Sequence, residues 1–292
     1  MIKIGVLAGN GRYYERDLSP GAYYGASAVG VVAGGAAAAA GLTDTVTAVD
    51  LDNLLAGRSA DGTRELLRPH PDRKPGCELH AAPDTSVWAL FAASPPDGAR
   101  AVAVASEAAL RLALRQAEAE CGVTRRGKAG RTHERGKLAF VIYTHTTSRA
   151  GDPHLHHHAV VPNLVLRPDG TWGVHHNRLL YKAQARLTAT YNRVLRDNLV
   201  AVGIDARLEN GRCVVAGVPP GLCAAFSTRR KEVVAAKGDY HAKDSEAAQK
   251  AAWATRGRKT RIPEAELRAR WRAVATAHGY DPAASVLRAP TA

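Results

Sequence analysis

Apolar residues recur along this chain at two spacings, and each predicts a different kind of element. Alternation over residues 1–8 predicts a first β-strand. Two runs, 138–144 and 159–166, are apolar and β-branched enough to be strands, with Pro162 marking an edge or a bulge in the second. Helical spacing takes over further on. Across 182–202, Leu187, Tyr191, Leu195 and Leu199 share one face and Gly203 ends the run. Residues 106–121 predict a helix with Ser106 as N-cap and Leu110 and Leu114 on its apolar side. A short helix over 50–56 stops at Gly57, residues 167–170 turn the chain into a hairpin completed by 171–175, and 211–218 is a short strand. The tail reads as helices over 226–236, 245–256 and 263–278, the last with Pro263 in its first turn and Gly279 past its end. Residues 26–42 carry no charge but are rich in glycine and alanine. They are too short for a membrane span and do not follow a basic segment, so a loop is expected there and no signal peptide.

Composition narrows the setting. A chain of 292 residues with 46% apolar content supports one large domain or two small ones. Its four cysteines show neither C-x-x-C spacing nor a disulfide framework, which fits a reducing cytoplasm. Charge is divided unevenly. Residues 1–120 hold 11 Lys/Arg against 14 Asp/Glu, a net of −3, leaving 29 against 13 for residues 121–292, a net of +16. A basic excess confined to the later part of the chain favours a polyanion as partner over an evenly solvated surface. The loop 124–137, with six Lys/Arg and several glycines, reads as a mobile phosphate-binding loop or a solvated connector.

The densest chemistry lies between the two central strands, in the run HTTSRAGDPHLHHHAVV from His145 to Val161. Ser148, Gly151, Asp152 and Pro153 are turn formers, so the flanking strands can pair and bring His145 to the His156/His158 pair. Alternation places His156 and His158 on one face and His157 on the other, while His154 precedes the expected strand. Three neutral imidazoles on one sheet face make a metal site with positions left for a substrate, where a lone histidine would be read as structural.

This string resembles the three-histidine signature of the MobF-family conjugative relaxases, HUH endonucleases that nick one DNA strand through a tyrosine. It is carried here by His145, Thr147, Ser148, Arg149, Asp152, Pro153, Leu155, His156, His158 and Ala159. The family also has paired tyrosines near its N-terminus, and this chain has Tyr13-Tyr14 and Tyr23-Tyr24 ten residues apart. Tyr13 and Tyr23, which open the pairs, are the first nucleophile candidates, and Tyr14 and Tyr24 the second. Residues 76–87 align with a family segment that places Glu78 where the family has an aspartate, suited to accept an N–H from a metal-bound histidine or the phenol's proton. The segment departs from the family at Glu78 for Asp, His80 for Thr and Thr85 for Lys, with its proline one place early at Pro83.

The resemblance implies an α+β fold: a ferredoxin-like HUH palm with a central antiparallel sheet and helices on one side, over residues 1–225. Residues 226–292 would be a helical fingers region of the same relaxase unit, with no helicase following. It implies metal-dependent nicking and rejoining of single-stranded DNA at an origin of transfer through a 5′-phosphotyrosine. The ion expected on His145, His156 and His158 is Mg²⁺ or Mn²⁺, with Zn²⁺ as an alternative. Origin-of-transfer DNA would be the partner, together with a separate helicase, accessory nicking proteins and a type IV secretion coupling protein, and without a membrane. Two alternatives share this chemistry or part of it: a rolling-circle replication initiator, and a non-cleaving single-strand binder suggested by the altered segment around Glu78.

Overall fold

The computed structural model describes residues 1–7, 30–148, 150–237 and 262–286. At its centre is an antiparallel sheet of six strands: β1 (Ile2–Val6), β2 (Gly30–Ala33), β3 (Thr45–Val46), β4 (Gly76–Ala81), β7 (Phe140–Thr147) and β8 (Pro153–Pro162). Their spatial order is β1-β4-β8-β7-β2-β3, so the two strands that flank the histidine turn are central and adjacent. Three small hairpins lie outside it: β5 (Val123–Arg126) with β6 (Thr132–Arg135), β9 (Val165–Leu166) with β10 (Trp172–Gly173), and β11 (Ala206–Glu209) with β12 (Arg212–Val215).

Side-chain alternation divides the sheet into two faces. Cys77 and Leu79 of β4, Ile142 of β7 and Ala159 of β8 point to one side, where three helices cover them: α2 (Thr85–Ala93), α3 (Pro96–Cys121) and α4 (Arg178–Ala201). Leu187, Tyr191, Leu195 and Leu199 are fully buried, so α4 packs on the face its sequence predicts. Val141, Tyr143 and Val160 point the other way and meet Leu51, Leu54 and Leu55 of the short helix α1 (Ala48–Ala56). The long helices therefore lie on one side, as expected of an α+β palm, and α1 covers part of the other. It is held by a Thr47/Asp50 capping box and stopped at Gly57 in the left-handed conformation.

Several local expectations are corrected. Ser106 is no N-cap: α3 begins at Pro96, and Ser106 lies buried in its middle. The extra turns are mostly alanine and valine, too weakly patterned to be read as helix. The uncharged stretch expected to be a loop contains β2, whose Val31 and Val32 pair with Ile142 and Val141. Gly30 is required there, because a Cβ would stand 2.5 Å from Val141 Cγ1. The basic segment is an ordered hairpin rather than a loop, with Arg126 paired to Glu134 and Asp169. The strand expected near 211–218 has a partner, β11, across a tight Asn210-Gly211 turn in which both residues have positive φ.

Among the described residues of the tail are α5 (Pro220–Ala225), α6 (Thr228–Lys237) and α7 (Glu264–Ala277), and α7 packs against α2. Residues 245–256, expected to be helical, lie outside the described residues. No described helix is long and apolar enough to cross a membrane.

Candidate active site

The turn that joins β7 to β8 is built by the residues of the histidine signature. Ser148 Oγ accepts the backbone N–H groups of Ala150 and Asp152, and Gly151 adopts φ +83° to close the turn. Asp152 then reaches outward: its Oδ2 accepts from the backbone N–H groups of Thr228, at 2.9 Å, and Arg229, capping the first turn of α6. The indole N–H of Trp271 on α7 donates to the carbonyl of Gly151 at 2.8 Å. These two contacts tie the tail helices to the turn, so Ser148 and Asp152 act as scaffold. Arg149 lies outside the described residues.

Beyond the turn the strands pair in the register that the chemistry needs. His145 stands opposite His156 and Tyr143 opposite His158, and the register shifts between His145 and Thr147. All three expected histidines share one face. The His145 and His156 ring centroids are 5.0 Å apart, those of His145 and His158 are 4.8 Å apart, and His145 Nδ1 lies 3.3 Å from His156 Nε2.

Outer hydrogen bonds settle which nitrogens are available. His156 Nδ1–H donates to the carbonyl of His154 at 2.7 Å, leaving Nε2 with its lone pair. His158 Nδ1 lies 2.5 Å from Glu78 Oε1, so its Nε2 is likewise turned to the cluster. Glu78 reaches this position because β4 pairs with β8 on the side away from β7, with Glu78 opposite Val160. The same register puts His80 opposite His158.

His157 faces the other way, as alternation requires. It is wholly buried under α3, with Nε2 2.8 Å from Ser106 Oγ and Nδ1 2.9 Å from Thr144 Oγ1; Ser106 Oγ in turn lies 2.8 Å from Tyr191 OH. Burial pushes the His157 imidazole down to about 3, so it is neutral at pH 7. His154, expected ahead of the strand, is instead part of β8. Its ring stacks on His156 at 4.2 Å and meets the edge of Trp88 at 4.5 Å. A cleft of about 290 Å³ opens beside it, lined by Trp88, His154, Ser148, Phe226, Arg229 and Arg230. Burial, and after it the neighbouring histidines, holds His156 well below its ordinary range, which keeps it in the form that donates a lone pair.

The structure thus brings Glu78, His145, His156 and His158 together. Tyr13, Tyr14, Tyr23 and Tyr24 lie outside the described residues. What sequence reading missed is His80. Its register with His158 depends on pairing between distant segments, and no local pattern reports it.

An antiparallel sheet carrying an H-x-H strand beside a third histidine, with helices on the reverse face, makes a histidine-centred α+β palm. Residues 8–278 match the TrwC relaxase family, and the chain belongs to that family. Its fold is similar to that of the conjugative relaxase TrwC in complex with oriT DNA. The metal-free structure of that complex is 30% identical, with a TM-score of 0.81 over 97% of this chain and 100% of that chain. The metal-bound structure is 29% identical with a TM-score of 0.83, at the same coverage. The multifunctional conjugation protein TraI of Escherichia coli K12 is 29% identical over 227 residues, which span 71% of this chain and 12% of that protein.

Proposed function

We propose that this chain nicks and rejoins one strand of DNA at an origin of transfer, by tyrosine transesterification with a divalent ion. The observation that carries the reading is the convergence of His145, His156 and His158 on one sheet face, with Glu78 on the outer nitrogen of His158. The donor set fits a divalent cation. Two of the imidazoles have their Nδ1 atoms committed to a carbonyl and a carboxylate. The 3.3 Å between His145 Nδ1 and His156 Nε2 is close to the edge of about 3.4 Å in a tetrahedron of 2.1 Å metal–nitrogen bonds. All-imidazole donors favour Mn²⁺ or Zn²⁺ over Mg²⁺, which prefers oxygen.

When bound, the ion supplies charge stabilisation at the scissile phosphate. The chain's own groups do the rest. A phenol of the first pair, Tyr13 before Tyr14, or of the second pair in a later transfer, Tyr23 before Tyr24, forms a bond to phosphorus as the bond from phosphorus to the 3′ oxygen breaks. The phenolic proton leaves to solvent or to a nearby base, and the departing oxygen becomes a 3′-OH. The 5′-phosphotyrosine keeps the bond's free energy, so a later 3′-OH can reverse the step. Of the two roles open to Glu78, the short contact to His158 supports orienting that imidazole. The cleft beside His154 offers Trp88 for stacking and Arg229 and Arg230 for phosphates, a surface suited to a single strand.

Residues 226–292 would serve as the fingers over that strand. The proposed setting is the cytoplasm, with a helicase, accessory nicking proteins and a secretion coupling protein as partners. The test is a covalent adduct. Incubated with Mn²⁺ or Zn²⁺ and a single strand spanning the nick site, the wild type should yield a protein–DNA species that survives SDS, and Tyr13→Phe should abolish it. Should the variant form the full adduct, peptide mapping would locate the nucleophile at one of the other three tyrosines. Absence of any adduct in metal-loaded wild type would favour a non-cleaving binder.

A further inference from the structure

His80 occupies β4 on the face that carries the other histidines. It pairs with His158 across β4 and β8, as His145 pairs with His156 across β7 and β8, so the central H-x-H pair is flanked by an imidazole on each side. Its ring centroid lies 5.1 Å from that of His156 and 5.0 Å from that of His158, the same spacing that His145 keeps on the other flank. One nitrogen from each of His80, His156 and His158 lies within 4.8 Å of the others. We propose that His80 is a fourth imidazole ligand, so that this chain's centre would hold its ion through four nitrogens, take a phosphate oxygen only as a fifth donor, and select Zn²⁺, Co²⁺ or Cu²⁺ strongly over Mg²⁺.

The inference rests on the metal-centre reading above and adds a ligand to it. Two considerations carry it. First, a histidine packed among three others is a poor space filler. Its ring adds a nitrogen donor beside the inward-turned nitrogens of His156 and His158, which a threonine or valine at that position would not. Second, each added imidazole strengthens a site for borderline cations and does little for an oxygen-seeking one. The hydrogen bonds to Glu78 and to the His154 carbonyl already aim His158 and His156 inward, so His80 meets a preorganised pair.

The test compares wild type with His80→Thr, both stripped of metal by chelator and checked for matching circular dichroism and thermal unfolding. Zn²⁺ is titrated against a chromophoric chelator, and Cu²⁺-loaded samples are examined by electron paramagnetic resonance. The expected result is a loss of Zn²⁺ affinity of about tenfold or more in the variant, with Mg²⁺ affinity unchanged. The nitrogen superhyperfine pattern should change from four equivalent donors to three. If His80→Thr does not fold, His80→Gln takes its place, since it keeps the bulk and lacks the imidazole nitrogen. Equal Zn²⁺ affinity and identical spectra in wild type and variant would overturn the fourth ligand while leaving the three-histidine centre standing. A wild type that binds none of these ions would sink both.

Discussion

His156 and His158 differ from His157 by one position and by one face of a sheet, and the consequences of truncating them should differ in kind. His156→Ala or His158→Ala removes a proposed ligand, so metal affinity and nicking should fall together. His157→Ala leaves Ser106 and Thr144 without their partner in the core, which costs about 1–3 kcal/mol. Urea denaturation should register that loss while metal titration shows none. Equal loss of metal from all three variants would refute the alternation on which the site is built. A second buried histidine sets a dependence on pH. His175 is buried beyond β10 and its Nε2–H donates to the carbonyl of Cys121 at 2.9 Å; burial outweighs that bond and pushes its pKa down to about 4. The folded form is therefore neutral, whereas the unfolded chain takes up a proton below about 6.5. Stability from this group is complete above that pH and is lost as pH falls toward 4, by up to about 1.4 kcal/mol per pH unit. Denaturation curves at pH 7.5, 6 and 5 should show His175→Gln less stable than wild type at the highest pH and with a shallower decline.

Among the elements, the hairpin of β7 and β8 explains why so much of the site could be read from sequence. Two apolar runs of period two, joined by turn formers, fix both the pairing and the face of every histidine within it. Glu78 could be placed through its resemblance to a family segment, and its contact with His158 agrees with one of the two roles expected there. His80 and His154 could not be placed. The first depends on the β4–β8 register, set by packing between distant segments, and the second on where β8 begins, which a proline at position 153 obscured. The start of α3 was lost for another reason: alanine is neither apolar nor polar enough to mark a face, so ten residues of helix left no period. The turn itself supports a test. Asp152 caps α6 from another element, and Asp152→Ala should cost about 1 kcal/mol and expose α6 to limited proteolysis while β7 and β8 stay protected. Uniform loss of protection across the sheet would mean that Asp152 stabilises the palm rather than the docking of the tail.

At the scale of the whole molecule the question is how much of the net charge of +16 over residues 121–292 is available to DNA. Part of it is spent within the fold. Arg126 pairs with Glu134 and Asp169, Arg186 with Glu120, and Arg268 and Arg270 with glutamates one turn away on α7. Such exposed pairs contribute little to stability, yet each lowers the local potential that a phosphate would meet. Arg229 and Arg230 both line the cleft beside His154, next to the histidine cluster, Arg229 already paired with Glu232 one turn along α6. A single strand laid along that cleft would release counterions in proportion to the phosphates neutralised, at about 0.7 log unit of affinity per log unit of salt for each. The expected slope in fluorescence anisotropy therefore corresponds to a few phosphates, well below the count of cations. Arg230→Ala should weaken binding and reduce the slope by roughly one phosphate's worth, about 0.7. Trp88→Ala should weaken binding by about 1–3 kcal/mol with the slope unchanged, because stacking releases no ions. A slope unaffected by Arg230→Ala, together with unchanged affinity in Trp88→Ala, would move the DNA path away from this cleft and leave the basic excess as a diffuse field that steers the strand without gripping it.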